Sequence, residues 1–188
     1  MTIAFRELPV RRLEPGQRLY RIHRAAHGPW FFSGDGNGRF DPATTGRGAC
    51  YLAEAALGAW IETFRTSMTI AEDDVSSRVL SSIELDRPFE LADLSHRRAL
   101  AAGATAAVMS GEDYDPCHAT ADGLQGVRDG ILWRVRHDLG QRLLGVALFG
   151  PAGAQPDGDW PPADTAPIGS DLIRVAEDEF GYRVVPTT

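Results

Sequence analysis

Three glycines, two aspartates and one arginine fall within nine residues, GDGNGRFDP, from Gly34 to Pro42. The stretch lies between the aromatic run Trp30-Phe31-Phe32 and the apolar segment ACYLAEAALGAWIETF. So bare a stretch cannot pack a core, yet a core-forming segment follows at once, so it is either a site or an ordinary turn. It lacks the GxGxxG spacing of a dinucleotide fold and the GxxxxGK(S/T) of a P-loop, which removes both of those phosphate-cradling mechanisms. As a calcium loop it begins well with Asp35-x-Asn37, but Arg39 stands where a third oxygen ligand belongs and Phe40 where the turn glycine belongs.

Around this loop the pattern predicts strands at RLYRIH, ACYLA, RVLSSIEL, FELADL, GILWRVR and LLGVALFG. Helices are predicted over 54–65, over 96–109 with Ser95 as N-cap, over 119–127, and over 171–180 with Ser170 as cap and Gly181 as stop. Adjacent strands with scattered helices describe an α+β fold rather than a regular βαβ array. Residues 150–167, GPAGAQPDGDWPPADTAP, read as a Pro/Gly-rich surface loop. The length of 188 residues, 43% of them hydrophobic, suits one domain over 1–188.

The predicted helix 54–65 places Leu57, Trp60, Ile61 and Phe64 on one face to bury. Glu62 falls off that face, beside the small residues Ala55, Gly58 and Ala59, so a ligand could approach its carboxylate. From the helix alone, a solvated ion pair with Arg65 reads better. Metal-ligand spacing is absent: His23 and His27 start in a strand, where i, i+4 does not converge, and no metal is expected. His137-Asp138 reads as a turn. Cys50 and Cys117 form neither a CxxC nor a disulfide framework and read as reduced, buried thiols.

The net charge of −7 argues against broad nucleic-acid binding, although an arginine cluster could hold a small anion. The N-terminus MTIAFRELPVRRLEPGQ carries no apolar leader pattern, and no stretch approaches the roughly 20 apolar residues of a membrane span. A cytoplasmic location without membrane contact is therefore expected.

Taken in order, LYRIH, FFSGDGNGRFDP, CYLAE and GAWIETF resemble the RES domain family. DRPFELADLS, GILWRVRHD, GVALFG and FGYRVV extend the resemblance, which runs from Arg18 to Val185 and rests on the order and spacing of these segments. It implies an ADP-ribosyltransferase-like α+β fold and an enzyme that destroys NAD+, typically the toxin of a pair neutralised by an Xre-like antitoxin. By position, the family's first arginine falls on Arg21, its loop arginine on Arg39, its tyrosine on Tyr51 and its glutamate on Glu62. Arg21, Tyr51 and Glu62 are then the expected catalytic residues. Gly38, Arg39, Phe40 and Arg136 are expected to bind substrate, with the loop glycines letting the backbone approach the dinucleotide. Each has a plainer alternative: Arg21 as a surface cation, Arg39 as a partner of Asp41, Tyr51 as core.

In one position the chain departs from the family. Val135 stands where the family has a serine, and the missing hydroxyl is expected to favour water over phosphate as the acceptor. ADP-ribosyl transfer, a biosynthetic use of NAD+ and a non-catalytic nucleotide-binding module remain as alternatives, and a homo-oligomer stays open. The resemblance implies no cofactor beyond NAD+ as substrate.

Overall fold

The computed structural model describes residues 3–43, 46–156 and 158–187. Twelve strands and five α-helices are assigned among them: β1 (Val10–Leu13), β2 (Arg18–Arg24), β3 (Phe31–Phe32), β4 (Arg47–Ala53), α1 (Ala56–Phe64), β5 (Thr69–Ala71), α2 (Glu72–Ser76), β6 (Arg78–Glu84), β7 (Phe89–Asp93), α3 (Ala106–Ser110), α4 (Asp115–Leu124), β8 (Gly130–Arg134), β9 (Leu144–Pro151), β10 (Gly153–Ala154), β11 (Ala163–Pro167), α5 (Ser170–Phe180) and β12 (Arg183–Val185). Eight strands form one sheet in the order β1-β7-β8-β9-β4-β2-β6-β11. It is mixed: β7 and β8 run parallel and the other neighbours antiparallel.

The sheet is covered on both faces, which is why β9 reads as an unbroken apolar run, buried from Gly145 to Gly150. One apolar cluster joins Leu94, Val108, Leu124, Ile131, Trp133 and Phe149, and a second joins Leu13, Leu19, Leu52, Ile83, Leu91 and Leu148. A third gathers Ile22, Trp60, Ile61, Phe64 and Tyr182 where α1 and α5 meet.

The six expected strands are present, and α1 and α5 lie within two residues of expectation; Gly181 ends α5 in the left-handed conformation at φ 75°. The expected helix over 96–109 is broken. Residues Arg97–Ala102 form a 3-10 turn capped by His96, whose side chain accepts from the Arg98 N–H, and Gly103 at φ 92° separates it from α3. Ser95 does not cap; its hydroxyl donates to Asp93. Helix α4 begins four residues before the expected 119, with Pro116 in its first turn. Within 150–167, Ala163–Pro167 form an edge strand against β6, a position that tolerates a proline such as Pro167. Both cysteines are free and buried. No helix among the described residues is long and apolar enough to cross a membrane.

Candidate active site

Strands β2 and β4 are hydrogen-bonded neighbours at one register pair among the described residues, Tyr20 with Ala53, and part beyond it. The glycine loop, 34–42, folds at that opening around a carboxylate that the sequence offered only as a partner for Arg39. Asp41 is fully buried. Its Oδ2 accepts from the Ser33 hydroxyl at 2.6 Å and the Gly38 N–H at 2.9 Å, and its Oδ1 from the Tyr51 hydroxyl at 2.7 Å. The Tyr51 oxygen in turn accepts from the Phe40 N–H at 2.8 Å. Helix α4 adds a tie, with His118 Nε2 2.9 Å from the Gly38 carbonyl oxygen.

That packing explains the bareness of the loop. A Cβ on Gly38 would stand 2.4 Å from both Asp41 Oδ1 and the Tyr51 oxygen, and Gly36 sits at φ 79°, where side chains are strained. The glycines therefore let the loop close on its own carboxylate, whereas the sequence suggested that they bare the backbone to a ligand. Tyr51 lines the cavity described below, but its hydroxyl is committed on both sides. Burial, first, and the charge of Asp41 hold its pKa well above the usual value, so it presents a neutral ring.

Arg39 and Phe40 part at the loop, one lining the cavity and the other packing in the core. Phe40 is fully buried against Trp133, with ring centroids 5.0 Å apart, and does not reach the cavity. Its expected contact with substrate is not supported by this placement: the residue anchors the loop to the core. Arg39 does line the cavity. Its Nη1 donates to the Gly111 carbonyl at 3.0 Å and its guanidinium lies 4.8 Å from the Tyr114 ring centroid, so it does not pair with Asp41.

Arg21 on β2 is half-buried, and its Nη1 donates to the Pro29 carbonyl and contacts Cys50 Sγ at 3.1 Å. It is a positioned group, not a free surface cation. Glu62 stands on α1, whose buried face is Gly58, Ala59, Trp60, Ile61 and Phe64, and it lines the cavity beside Ala59 and Thr63. Burial raises the pKa of Glu62, while Arg65, a hydrogen bond from Trp133 and Arg39 pull it back down. The expected Glu62–Arg65 ion pair is absent; Arg65 donates through Nε to the Glu62 backbone oxygen at 3.3 Å.

The cavity, about 290 Å³, thus gathers Arg21, Gly38, Arg39, Tyr51, Glu62 and Arg136. Arg136 also pairs with Glu112 at 3.2 Å. Residues missed from sequence complete it. Trp133 forms a wall, and Arg65 enters from the end of α1 with its backbone at φ 50°, a strained conformation held by the Tyr182 hydroxyl donating to its carbonyl at 2.7 Å. His137 also lines the cavity, its pKa lowered by burial and by Arg136, Arg65 and Arg39, so it is neutral at physiological pH. Asp138 is buried and closes a turn, accepting from the N–H groups of Gly140, Arg142 and Leu143. Among the described residues, no three His, Cys, Asp or Glu side chains are grouped to hold a metal ion.

Val135 stands apart from this cavity. It is 1% exposed and packs with Ile22, Trp60 and Phe64, because β8 has ended and the chain turns its side chain into the α1 cluster. A hydroxyl there would be buried among apolar groups. Val135→Ser is therefore expected to cost about 1–3 kcal/mol of stability, read as a lower denaturant midpoint at unchanged slope.

The model of the RES domain matches residues 18–164. No curated protein matches the sequence. Among solved structures, a chain of the crystal structure of the M. tuberculosis MbcT–MbcA toxin–antitoxin complex aligns with a TM-score of 0.65 at 21% identity, covering 87% of this chain and 90% of that one. The α+β fold expected from the sequence is shared with that structure.

Proposed function

Because the chain belongs to the RES domain family, we propose that it is an NAD+-consuming enzyme that cleaves the bond between nicotinamide and ribose. The observation that carries this reading is one half-buried carboxylate, Glu62, in a cavity lined by Arg21, Arg39, Arg65 and Arg136. In a chain of net charge −7, four guanidinium groups against two carboxylates, Glu62 and Asp35, on one cavity call for an anionic ligand. Their planar donor forks suit the oxygens of a diphosphate.

A cavity of about 290 Å³ fits nicotinamide and its ribose rather than a whole dinucleotide. A neighbouring groove of about 520 Å³ shares Arg65, Arg136 and His137 with it and offers room for the rest. The rings of Tyr51 and Trp133 would flank the nicotinamide end. The C–N bond breaks with its electron pair passing to nicotinamide, which leaves neutral, and positive charge develops on the ribose ring. A fixed carboxylate stabilises that charge. Water attacks the ribose carbon from which nicotinamide departs and gives its proton to Glu62, whose raised pKa makes it the better proton acceptor. The reaction so written uses no metal ion and yields ADP-ribose. Because Val135 lies outside the cavity, its missing hydroxyl carries no argument against phosphate as the acceptor.

A restraining protein partner fits the same reading. The fold is shared with a chain from a toxin–antitoxin complex, and an NAD+-destroying enzyme needs a restraint inside the cell that makes it. Incubation of the purified protein with NAD+ in phosphate and in non-phosphate buffer, followed by mass spectrometry, should show nicotinamide together with ADP-ribose or its 1''-phosphate. Intact NAD+ under both conditions would overturn the proposal.

A further inference from the structure

A second cleft, about 310 Å³, adjoins the reaction cavity and shares Arg21 and Thr63 with it. Arg24, His27, Phe31 and Arg78 also line it, and no carboxylate does so among the described residues. The chain has 26 acidic residues against 19 basic ones, so the charge of this cleft is opposite in sign to that of the whole chain.

The arrangement is electrostatically costly as it stands. Arg24 and Arg78 are direct cross-strand partners on β2 and β6, and like charges so opposed repel. Arg78 is partly compensated: it donates to the Asp74 carbonyl at 2.9 Å, lies 3.9 Å from the Asp74 carboxylate and stacks over Phe64 at 5.5 Å. Arg24 is exposed and has no carboxylate within ion-pair distance among the described residues. His23 adds no charge, because burial lowers its pKa and its ring is held between Ser81 at 2.7 Å and the Arg24 carbonyl at 3.0 Å. Two opposed guanidinium groups on one cleft suit a compact anion between them. Phe31, 42% exposed at its edge, offers an aromatic face beside that position.

We infer that this cleft binds a phosphate group, either inorganic phosphate or the phosphate of a nucleoside monophosphate, at a site next to but separate from the dinucleotide cavity. The anion sits between Arg24 and Arg78, and Arg21 forms the wall common to the two sites.

The test uses the dinucleotide-free protein in a phosphate-free buffer. Inorganic phosphate and adenosine monophosphate are titrated separately by calorimetry, with thermal unfolding in parallel. The native chain should bind and melt at a higher temperature when phosphate is added. Arg24→Gln should weaken that binding at least about tenfold, while leaving NAD+ affinity within about twofold. Without phosphate the variant should melt no lower than the native chain, because it removes a like-charge pair. Nucleotide binding that is tighter than phosphate binding and is weakened by Arg24→Gln makes Phe31 a platform for the base, and equal binding of the two identifies free phosphate as the ligand. Absence of binding to the native chain, or equal phosphate affinity in Arg24→Gln, would overturn the inference. Binding is read without turnover, so its outcome is distinct from that of the NAD+ incubation.

Discussion

Glu62→Gln is expected to lower nicotinamide release from NAD+ by at least about 10²–10³-fold, with dinucleotide affinity largely kept. Glutamine keeps the shape and the acceptor oxygen but removes the negative charge that would answer the cation developing on the ribose, so the loss falls on the transition state. Calorimetric titration alongside steady-state rates separates the two effects. The native enzyme should also show an acid limb in its pH–rate profile. Glu62 must be ionised to act, and burial raises its pKa, so activity should fall as pH drops through a value above the ordinary range for glutamate. Glu62→Gln should lack that limb.

The same shift makes a prediction about stability. A carboxyl whose pKa is higher in the folded than in the unfolded state binds more protons when folded. Its contribution is therefore neutral below the unfolded pKa, and stability falls as pH rises through the window up to the folded one. Above that window the ionised Glu62 is a standing cost, so Glu62→Gln should be at least as stable as the native chain at neutral pH. A variant that is both inactive and unfolded would show Glu62 to be a structural residue; one that turns over NAD+ normally would show the carboxylate to be a bystander.

Asp41→Ala is expected to be the most damaging change to the site's architecture. Ser33 can turn its hydroxyl fully to Asp35, which it already meets at 2.9 Å, but the Gly38 N–H and the Tyr51 hydroxyl lose their acceptor. Two buried donors left without a partner cost about 2–5 kcal/mol together. The loss should appear as a lower denaturant midpoint. Dinucleotide affinity should fall as well, because Arg39 is two residues away and reaches the cavity through the conformation that Asp41 holds. Tyr51→Phe removes the bond to Asp41 and the acceptor of the Phe40 N–H, and should reproduce part of both effects. If Asp41→Ala keeps native stability, the loop is held by its backbone conformation and by His118 rather than by the carboxylate.

Much of this molecule is legible in its sequence because the signals are local. Short apolar runs bounded by turn residues place β2, β4, β6, β7, β8 and β9, and a 3.6-residue apolar face places α1, while Gly181 marks the end of α5. Short elements escape that reading. β1 is exposed at three of its four positions and β5 has three residues, so neither carries a pattern, and both exist because a sheet edge or a neighbouring strand offers them hydrogen bonds. The edge strand β11, with two alanines and a terminal proline, carries no strand pattern and is decided by its pairing with β6.

The site divides in the same way. The order of segments is enough to nominate Arg21, Arg39, Tyr51 and Glu62, and folding brings all four to one cavity. Their local chemistry is another matter. Whether Glu62 pairs with Arg65 or faces a cavity depends on Trp133 and Arg39, which are distant in the chain. Phe40 and Val135 look like site residues in the sequence but are turned into the core by the path of the backbone. Asp41, which the sequence offers only as a partner for Arg39, is the buried acceptor that shapes the loop. Sequence determines which elements form, because backbone periodicity and side-chain size act over a few residues. Tertiary structure alone decides which polar groups are buried together, because desolvation and hydrogen bonding depend on neighbours that the chain supplies from tens of residues away.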